Sequence, residues 1–261
     1  MVIMMRNDVR IFGLEGFPLV KAGDDIVTLL LKTARTLGIP IAHDDIIVIG
    51  HKIISKSEGR VVRLSEVRPS TRALKIARRT SKDPRLVQLI LGESKRIIKT
   101  GTDIVLAESK QGIVCLNAGI DKSNVEGEDT YCLLPADPDL SANRIARRIR
   151  SRTGRRVRVI VTDTYSRPFR VGQSEFAIGV SGFDPFFDYR GDRDLFGRVL
   201  KFKCVSIADE LAGAAELVMG QGAEGIPVAI IKGARRIREG RSRQTPRLSI
   251  KKNVDLFQDA L

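Results

Sequence analysis

The sequence predicts an α+β fold, or an irregular α/β one, with mixed sheets and two interleaved subdomains. Three observations lead there. Short β-branched runs and amphipathic stretches share the chain, but without the strict strand–helix–strand rhythm of a doubly wound sheet. No shift in composition marks a linker, so two subdomains would be interleaved, grouped approximately as 1–100 with 200–261, and 101–199. The 261 residues, 43% hydrophobic, can build a sizeable core. No internal repeat or low-complexity segment interrupts them.

Val9 to Phe12 reads as a short strand, followed by a loop through Pro18. Asp24 is the expected cap of a helix over 25–37, which Gly38 stops. Asp45 to Gly50 is a buried strand, being short, apolar and β-branched, and it runs into His51–Lys56 and a Glu58-Gly59 turn. Ser70 caps a helix over 71–79, and another helix follows over 84–95. Residues 103–108 and 112–116 form a strand pair across a turn at Lys110-Gln111-Gly112. After a turn at 135–139, Ser141 is the expected cap of a helix that carries Ile145 and Ile149 on one face and ends at Gly154. Val157 to Thr162 is the next strand. Ser206 and Asp209 suggest a capping box for a helix to Met219, and Ile226 to Ile231 is a last strand. Beyond Gly233 the chain is Arg-rich and loses its apolar period until 254–257.

Lys plus Arg number 45 and Asp plus Glu 31, a net charge of +14. That balance favours anionic partners, whether nucleic acid, membrane surface or small phosphorylated and carboxylated ligands; a charged surface typical of a heat-adapted protein is the bland alternative. Cys115, Cys132 and Cys204 are odd in number and form no C-x-x-C, which argues against a disulfide framework or a zinc site. Cys115 alternates with apolar neighbours and reads as a buried structural thiol. The N-terminus has no signal-peptide pattern and no run reaches membrane-span length, so a soluble, cytoplasmic protein is expected.

Two acids stand where apolar runs end: Asp121 before Lys122-Ser123-Asn124, and Asp163 before Thr164. Carboxylates with a hydroxyl and an amide beside them suit a hard divalent cation such as Mg²⁺ or Mn²⁺. Gly220-Gln-Gly-Ala-Glu-Gly225 spells G-x-G-x-x-G, but a helix precedes it and a strand follows, the reverse of a dinucleotide fingerprint. It reads as a Gly-rich helix stop, or as a loop whose backbone can approach a phosphate or base. There is no P-loop. Lys56 can serve as a point charge on a phosphate, or simply be solvated. Arginines 144, 147, 148, 150, 152, 155, 156 and 158 are dense enough for nucleic acid, but they lack interleaved aromatics and spread around the helix. Arg167 and Arg170 can clamp carboxylates or phosphates, or neutralise nearby acids. The aromatic-rich stretch 183–197 suggests ring stacking or an oligomer contact. His43 and His51 give no metal-ligand spacing.

Taken in order, Glu15–Val20, Ile54–Arg60, Asn117–Val125, Thr162–Thr164, Phe176–Gly182, Asp194–Gly197, Ala208–Ala212 and Met219–Pro227 resemble one family, the coenzyme F-420-0:L-glutamate ligases. The resemblance implies a GTP-dependent ligase that adds L-glutamate to a deazaflavin coenzyme precursor through an acyl phosphate, releasing GDP and phosphate. It implies that Phe17, Pro18, Leu19, Val20, His51, Lys52, Lys56, Asn124 and the loop Met219, Gly220, Gln221, Gly222, Ala223, Glu224, Gly225, Ile226 contact the nucleotide. It implies one divalent cation on Asp121 and Asp163 and a second on Thr164 and Gln221, with Lys56, Asp121 and Asp163 catalytic. A monovalent cation such as K⁺ and a homodimer belong to the same expectation, and Arg167 and Arg170 are the candidate substrate contacts. The chain departs from one form of the pattern at Gln221, where Glu stands, at His51-Lys52, where small hydroxyl residues stand, and at Tyr165, where Asn can stand. A same-fold ligase with another acceptor or nucleotide, and an RNA-binding protein, are the alternatives.

Overall fold

The apolar run Ile46–Gly50 is the central strand of the largest sheet in the computed structural model, which describes residues 8–167, 169–235, 237–240 and 248–249. In chain order the strands are β1 (Arg10–Gly13), β2 (Ile46–Gly50), β3 (Val61–Arg63), β4 (Ser94–Gly101), β5 (Ile104–Ser109), β6 (Val114–Leu116), β7 (Thr130–Cys132), β8 (Arg158–Ser166), β9 (Gln173–Ser181), β10 (Phe186–Asp188), β11 (Cys204–Ser206) and β12 (Val228–Lys232). The helices are α1 (Ile26–Thr36), α2 (His51–Ser57), α3 (Thr71–Thr80), α4 (Pro84–Glu93), α5 (Pro138–Thr153) and α6 (Ile207–Met219).

The large sheet runs β1-β12-β2-β8-β9, with β2 and β8 parallel and the other neighbours antiparallel. Its strands are apolar at consecutive positions because both faces are covered. Ile47, Ile49, Val159, Val161, Val228 and Ile230 pack towards α1 and α5. The alternate positions Ile46, Val48, Ile160, Ala229 and Ile231 pack towards α6. Each fully buried Ile or Val contributes about 1.5–3 kcal/mol, so this double-sided strand set dominates the core. The fold is α+β with mixed sheets, as the sequence predicts.

After α2 the chain leaves this sheet. It builds an antiparallel sheet β4-β5-β6, backed by α3 and α4 over Ile90, Val105, Ala107 and Ile120, and returns through α5. The five-stranded sheet therefore takes strands from both sequence groupings, 1–100 with 200–261 and 101–199. Cys115 is buried, and burial pushes its thiol up to about 12. Among the described residues no helix is long and apolar enough to cross a membrane.

Some local expectations shift. The cap of α1 is Asp25, which accepts from Val27 N; Asp24 instead accepts from Lys21 N. The cap of α5 is Asp137, accepting from Leu140 N, while Ser141 lies inside the helix and donates to Glu58. Ser206 opens α6, but no capping box forms: Ser206 Oγ donates to Asp209 Oδ2, and Asp209 Oδ1 is taken by the Ala177 N–H of β9. Residues 51–57 are a helix, and β4 and β9 are strands the pattern did not mark. Part of the arginine run fastens helices together. Arg148 and Arg152 both bind Asp25 Oδ2, at 2.6 and 2.7 Å, and Arg158 pairs with Asp44. The apolar segment 254–257 lies outside the described residues.

Candidate active site

A cavity of about 530 Å³ opens where the parallel pair β2 and β8 ends, the place where open sheets carry ligands. Its walls are Phe17–Val20, Gly50–Ile53, Lys56, Asn124–Glu126, Thr162–Thr164, Glu175, Glu216 and Met219–Pro227. The structure thus brings together Phe17, Pro18, Leu19, Val20, His51, Lys52, Lys56, Asn124, Asp163, Thr164 and the whole loop from Met219 to Ile226. Asp121 is not part of the wall but adjoins it through Lys52. Arg167 and Arg170 lie in the β8–β9 connection and do not line the cavity.

One wall is cationic. Lys52 and Lys56 are one turn apart on α2 and point to the segment after Asp121. Lys52 Nζ donates to Asp121 Oδ2 and to Ser123 Oγ, each at 2.5 Å. Lys56 Nζ donates to the Asn124 carbonyl at 2.6 Å. Burial alone would raise the Asp121 carboxyl, but hydrogen bonds from Lys52 and Ser123 outweigh it and bring it down to about 2. Asn124 adopts φ +55° and donates from Nδ2 to the Gly222 carbonyl. The loop itself turns at Gly220, where φ is +67° and a Cβ would fall 2.5 Å from Glu224 Cδ. Glycine takes that φ without steric cost, whereas a larger residue would be strained and would displace the Glu224 carboxylate. Glu224 in turn accepts from Gly222 N at 2.7 Å.

The rest of the polar lining is made of oxygen donors from β8, β9 and the loop after α6. Successive residues of β8 point to opposite faces of the strand, so Asp163 meets the start of α2 while Thr164 meets the loop after α6. Asp163 Oδ1 accepts from Thr164 N at 2.8 Å and lies 3.3 Å from His51 Nε2, which is not aligned with it for a hydrogen bond. His51 is only 2% exposed, so it offers a nucleotide little surface and mainly backs Asp163.

Thr164 sits directly across the strand pair from Glu175, and their side chains meet. Thr164 Oγ1 lies 2.8 Å from Gln221 Oε1 and 3.2 Å from Glu175 Oε2. Gln221 Nε2 donates to the same Glu175 oxygen at 3.0 Å. Burial pushes the Glu175 carboxyl up; the hydrogen bond from Thr162 opposes this, the charges of Glu216 and Asp163 reinforce it, and it rests at about 7. Glu216 Oε2 is buried and has no hydrogen-bond partner among the described residues.

This donor set fits Mg²⁺ or Mn²⁺, which prefer carboxylate, carbonyl and hydroxyl oxygens. The orphaned oxygen of Glu216 marks an acceptor that the protein has not satisfied. No cluster of three or more Asp, Glu, His or Cys able to hold an ion occurs among the described residues.

The sequence reading did not mark Glu175 and Glu216. Glu216 stands four residues before Gly220 in a recognised helix, so its place near the loop was readable. Glu175 depends on the β8–β9 register, which has a shift between Val161 and Thr162 that no period reveals.

A family model described as F420-0:Gamma-glutamyl ligase matches residues 16–233 of the chain. Among similar proteins, the coenzyme F420:L-glutamate ligase of Methanothermobacter thermautotrophicus is 50% identical, the match covering 86% of this chain and 89% of that protein. The ligase of that name from Methanocaldococcus jannaschii is 45% identical, covering 89% and 91% respectively. Its counterpart from Archaeoglobus fulgidus is 44% identical, covering 89% and 90%.

Proposed function

The chain belongs to the F420-0:gamma-glutamyl ligase family, and on that premise we propose that it uses GTP to join L-glutamate to the carboxylate of F420-0. The observation that carries this reading is a single cavity lined by Lys52, Lys56, Asp163, Thr164, Glu175 and Gln221 together with a glycine loop. Such a cavity combines two tasks that a nucleotide-driven amide synthesis needs: holding phosphate charge and holding cations.

In the proposed reaction an acceptor carboxylate oxygen attacks the γ-phosphorus of GTP. The bond to the β–γ bridging oxygen breaks, and GDP leaves with that electron pair. The glutamate amine then attacks the acyl carbon, the bond to the phosphate oxygen breaks, and phosphate departs as the nitrogen loses a proton. Reactions of this type depend on positioning and charge neutralisation more than on covalent help from side chains. Lys56 and Lys52 would hold phosphate oxygens as point charges. Asp121 and Asp163 would hold one divalent cation, Thr164 and Gln221 a second; when bound, such cations neutralise phosphate oxygens. The backbone of Gly220, Gly222 and Gly225 lets the loop approach the nucleotide, and Phe17–Val20 supply an apolar wall for its base. The positive net charge attracts anionic substrates. Arg167 and Arg170 would meet glutamate only at the cavity rim. The same reading includes a homodimer, Mg²⁺ or Mn²⁺ at two positions, and work in the cytoplasm.

Acceptor labelled with ¹⁸O in its carboxylate tests the acyl phosphate. One ¹⁸O in the released phosphate is the expected result; phosphate free of label would rule out attack by that carboxylate.

A further inference from the structure

Glu175 is 5% exposed and has no part in the steps above, yet its Oε2 accepts from Gln221 Nε2 at 3.0 Å and lies 3.2 Å from Thr164 Oγ1, both residues of the proposed cation site. In this arrangement Glu175 Oε2 is an acceptor. It therefore takes the NH₂ end of the Gln221 amide; the flipped amide would set a carbonyl oxygen against a carboxylate oxygen. The Gln221 Oε1 that results lies 2.8 Å from Thr164 Oγ1. The distinction matters because only the oxygen end of an amide can ligate a hard cation.

We propose that Glu175 is a positioning residue that locks the Gln221 amide with its oxygen beside Thr164 Oγ1, so that these two neutral groups can accept a divalent cation together. This rests on the reading of Thr164 and Gln221 as cation ligands. Glu175 acts through Gln221: it fixes which end of a symmetric-looking side chain faces the ion. Outer hydrogen bonds of this kind typically change metal affinity by ~10–100-fold.

Mn²⁺ binding, read by the EPR signal of free Mn²⁺ in the presence of a non-hydrolysable GTP analogue, tests this without turnover. Glu175→Gln should weaken the second Mn²⁺ by about tenfold or more. In a Gln221→Ala background, itself weakened, the same change should cost less than about threefold further, because the amide it orients is gone. A loss of equal size in both backgrounds would mean that Glu175 acts by its charge alone and would overturn the proposal, as would wild-type affinity in Glu175→Gln. Wild-type affinity in Gln221→Ala would instead overturn the cation reading beneath it. Glu175→Asp, one methylene shorter, provides a second variant with the charge kept and the reach lost, and should also weaken Mn²⁺. A melting temperature for each metal-free variant separates this effect from loss of fold.

Discussion

Asn124 Nδ2 donates to the Gly222 carbonyl at 3.0 Å, and this bond joins the segment after Asp121 to the loop after α6. The two bonded residues are 98 apart in sequence and both line the cavity.

Asn124 should therefore influence nucleotide affinity more than stability. A neutral hydrogen bond contributes about 0.5–1.5 kcal/mol. Asn124→Ala and Asn124→Gly should each weaken GTP binding by about three- to tenfold in calorimetry. Glycine takes the φ of +55° freely and alanine at a cost of about 1–2 kcal/mol, so the pair separates the bond from the backbone. Weakening confined to the alanine variant would assign the effect to the backbone.

Glu175 should make the metal-free protein less stable as pH rises. Its carboxyl is raised from 4.5 to about 7, so the folded chain keeps a proton that the unfolded chain releases. The contribution is full below about pH 4.5 and is lost as pH climbs through about 7. Glu175→Gln cannot ionise. In urea unfolding without metal it should match the wild type near pH 4.5 and exceed it near pH 8, by on the order of 3 kcal/mol at most. Equal midpoints at both pH values would contradict this.

Asp45 and Lys232 form an ion pair beneath the β2–β12 edge, with Nζ 2.5 Å from Oδ2 and 2.7 Å from the Pro40 carbonyl. Asp45 also accepts from Ala42 N. Lys232→Met would leave the buried carboxylate without its cation, at a cost of about 3–5 kcal/mol. A denaturation midpoint within error of the wild type would show that the pair is dispensable.

Gly179 lies where β9 passes under the start of α5. A Cβ there would fall 2.5 Å from the carbonyl carbon and oxygen of Pro138. The neighbouring Val180 N–H donates to Asp139 at 2.8 Å, so the helix cannot withdraw without losing that bond. Gly179→Ala should cost about 1–3 kcal/mol through backbone displacement, measured by thermal melting.

Much of this was readable from sequence where burial is two-sided or periodic. The strands β2, β8 and β12 are continuous apolar runs because helices cover both faces, and α1, α3, α4, α5 and α6 show helical spacing. Strand β4 is hidden by the exposed Lys95, Arg96 and Lys99 and by two register shifts that break its alternation, and β9 by its polar start at Gln173-Ser-Glu175. Caps went astray by one residue at Asp24-Asp25, where either acid satisfies the pattern. In the site, Asp163 was visible as an acid ending an apolar strand. Its neighbour Glu175 was not, because cross-strand partners follow from register rather than local composition. The role of Arg148 and Arg152 on Asp25 likewise depends on how α1 and α5 meet.

The proposed reaction is glutamate ligation to F420-0 driven by GTP. The most direct test incubates the protein with GTP, Mg²⁺, L-glutamate and F420-0, and reads the acceptor's mass alongside released GDP and phosphate. The expected result is a gain of whole glutamyl units, one GDP and one phosphate for each, and no product when glutamate or GTP is omitted. An acceptor of unchanged mass, in a reaction where a related ligase converts the same mixture, would contradict it.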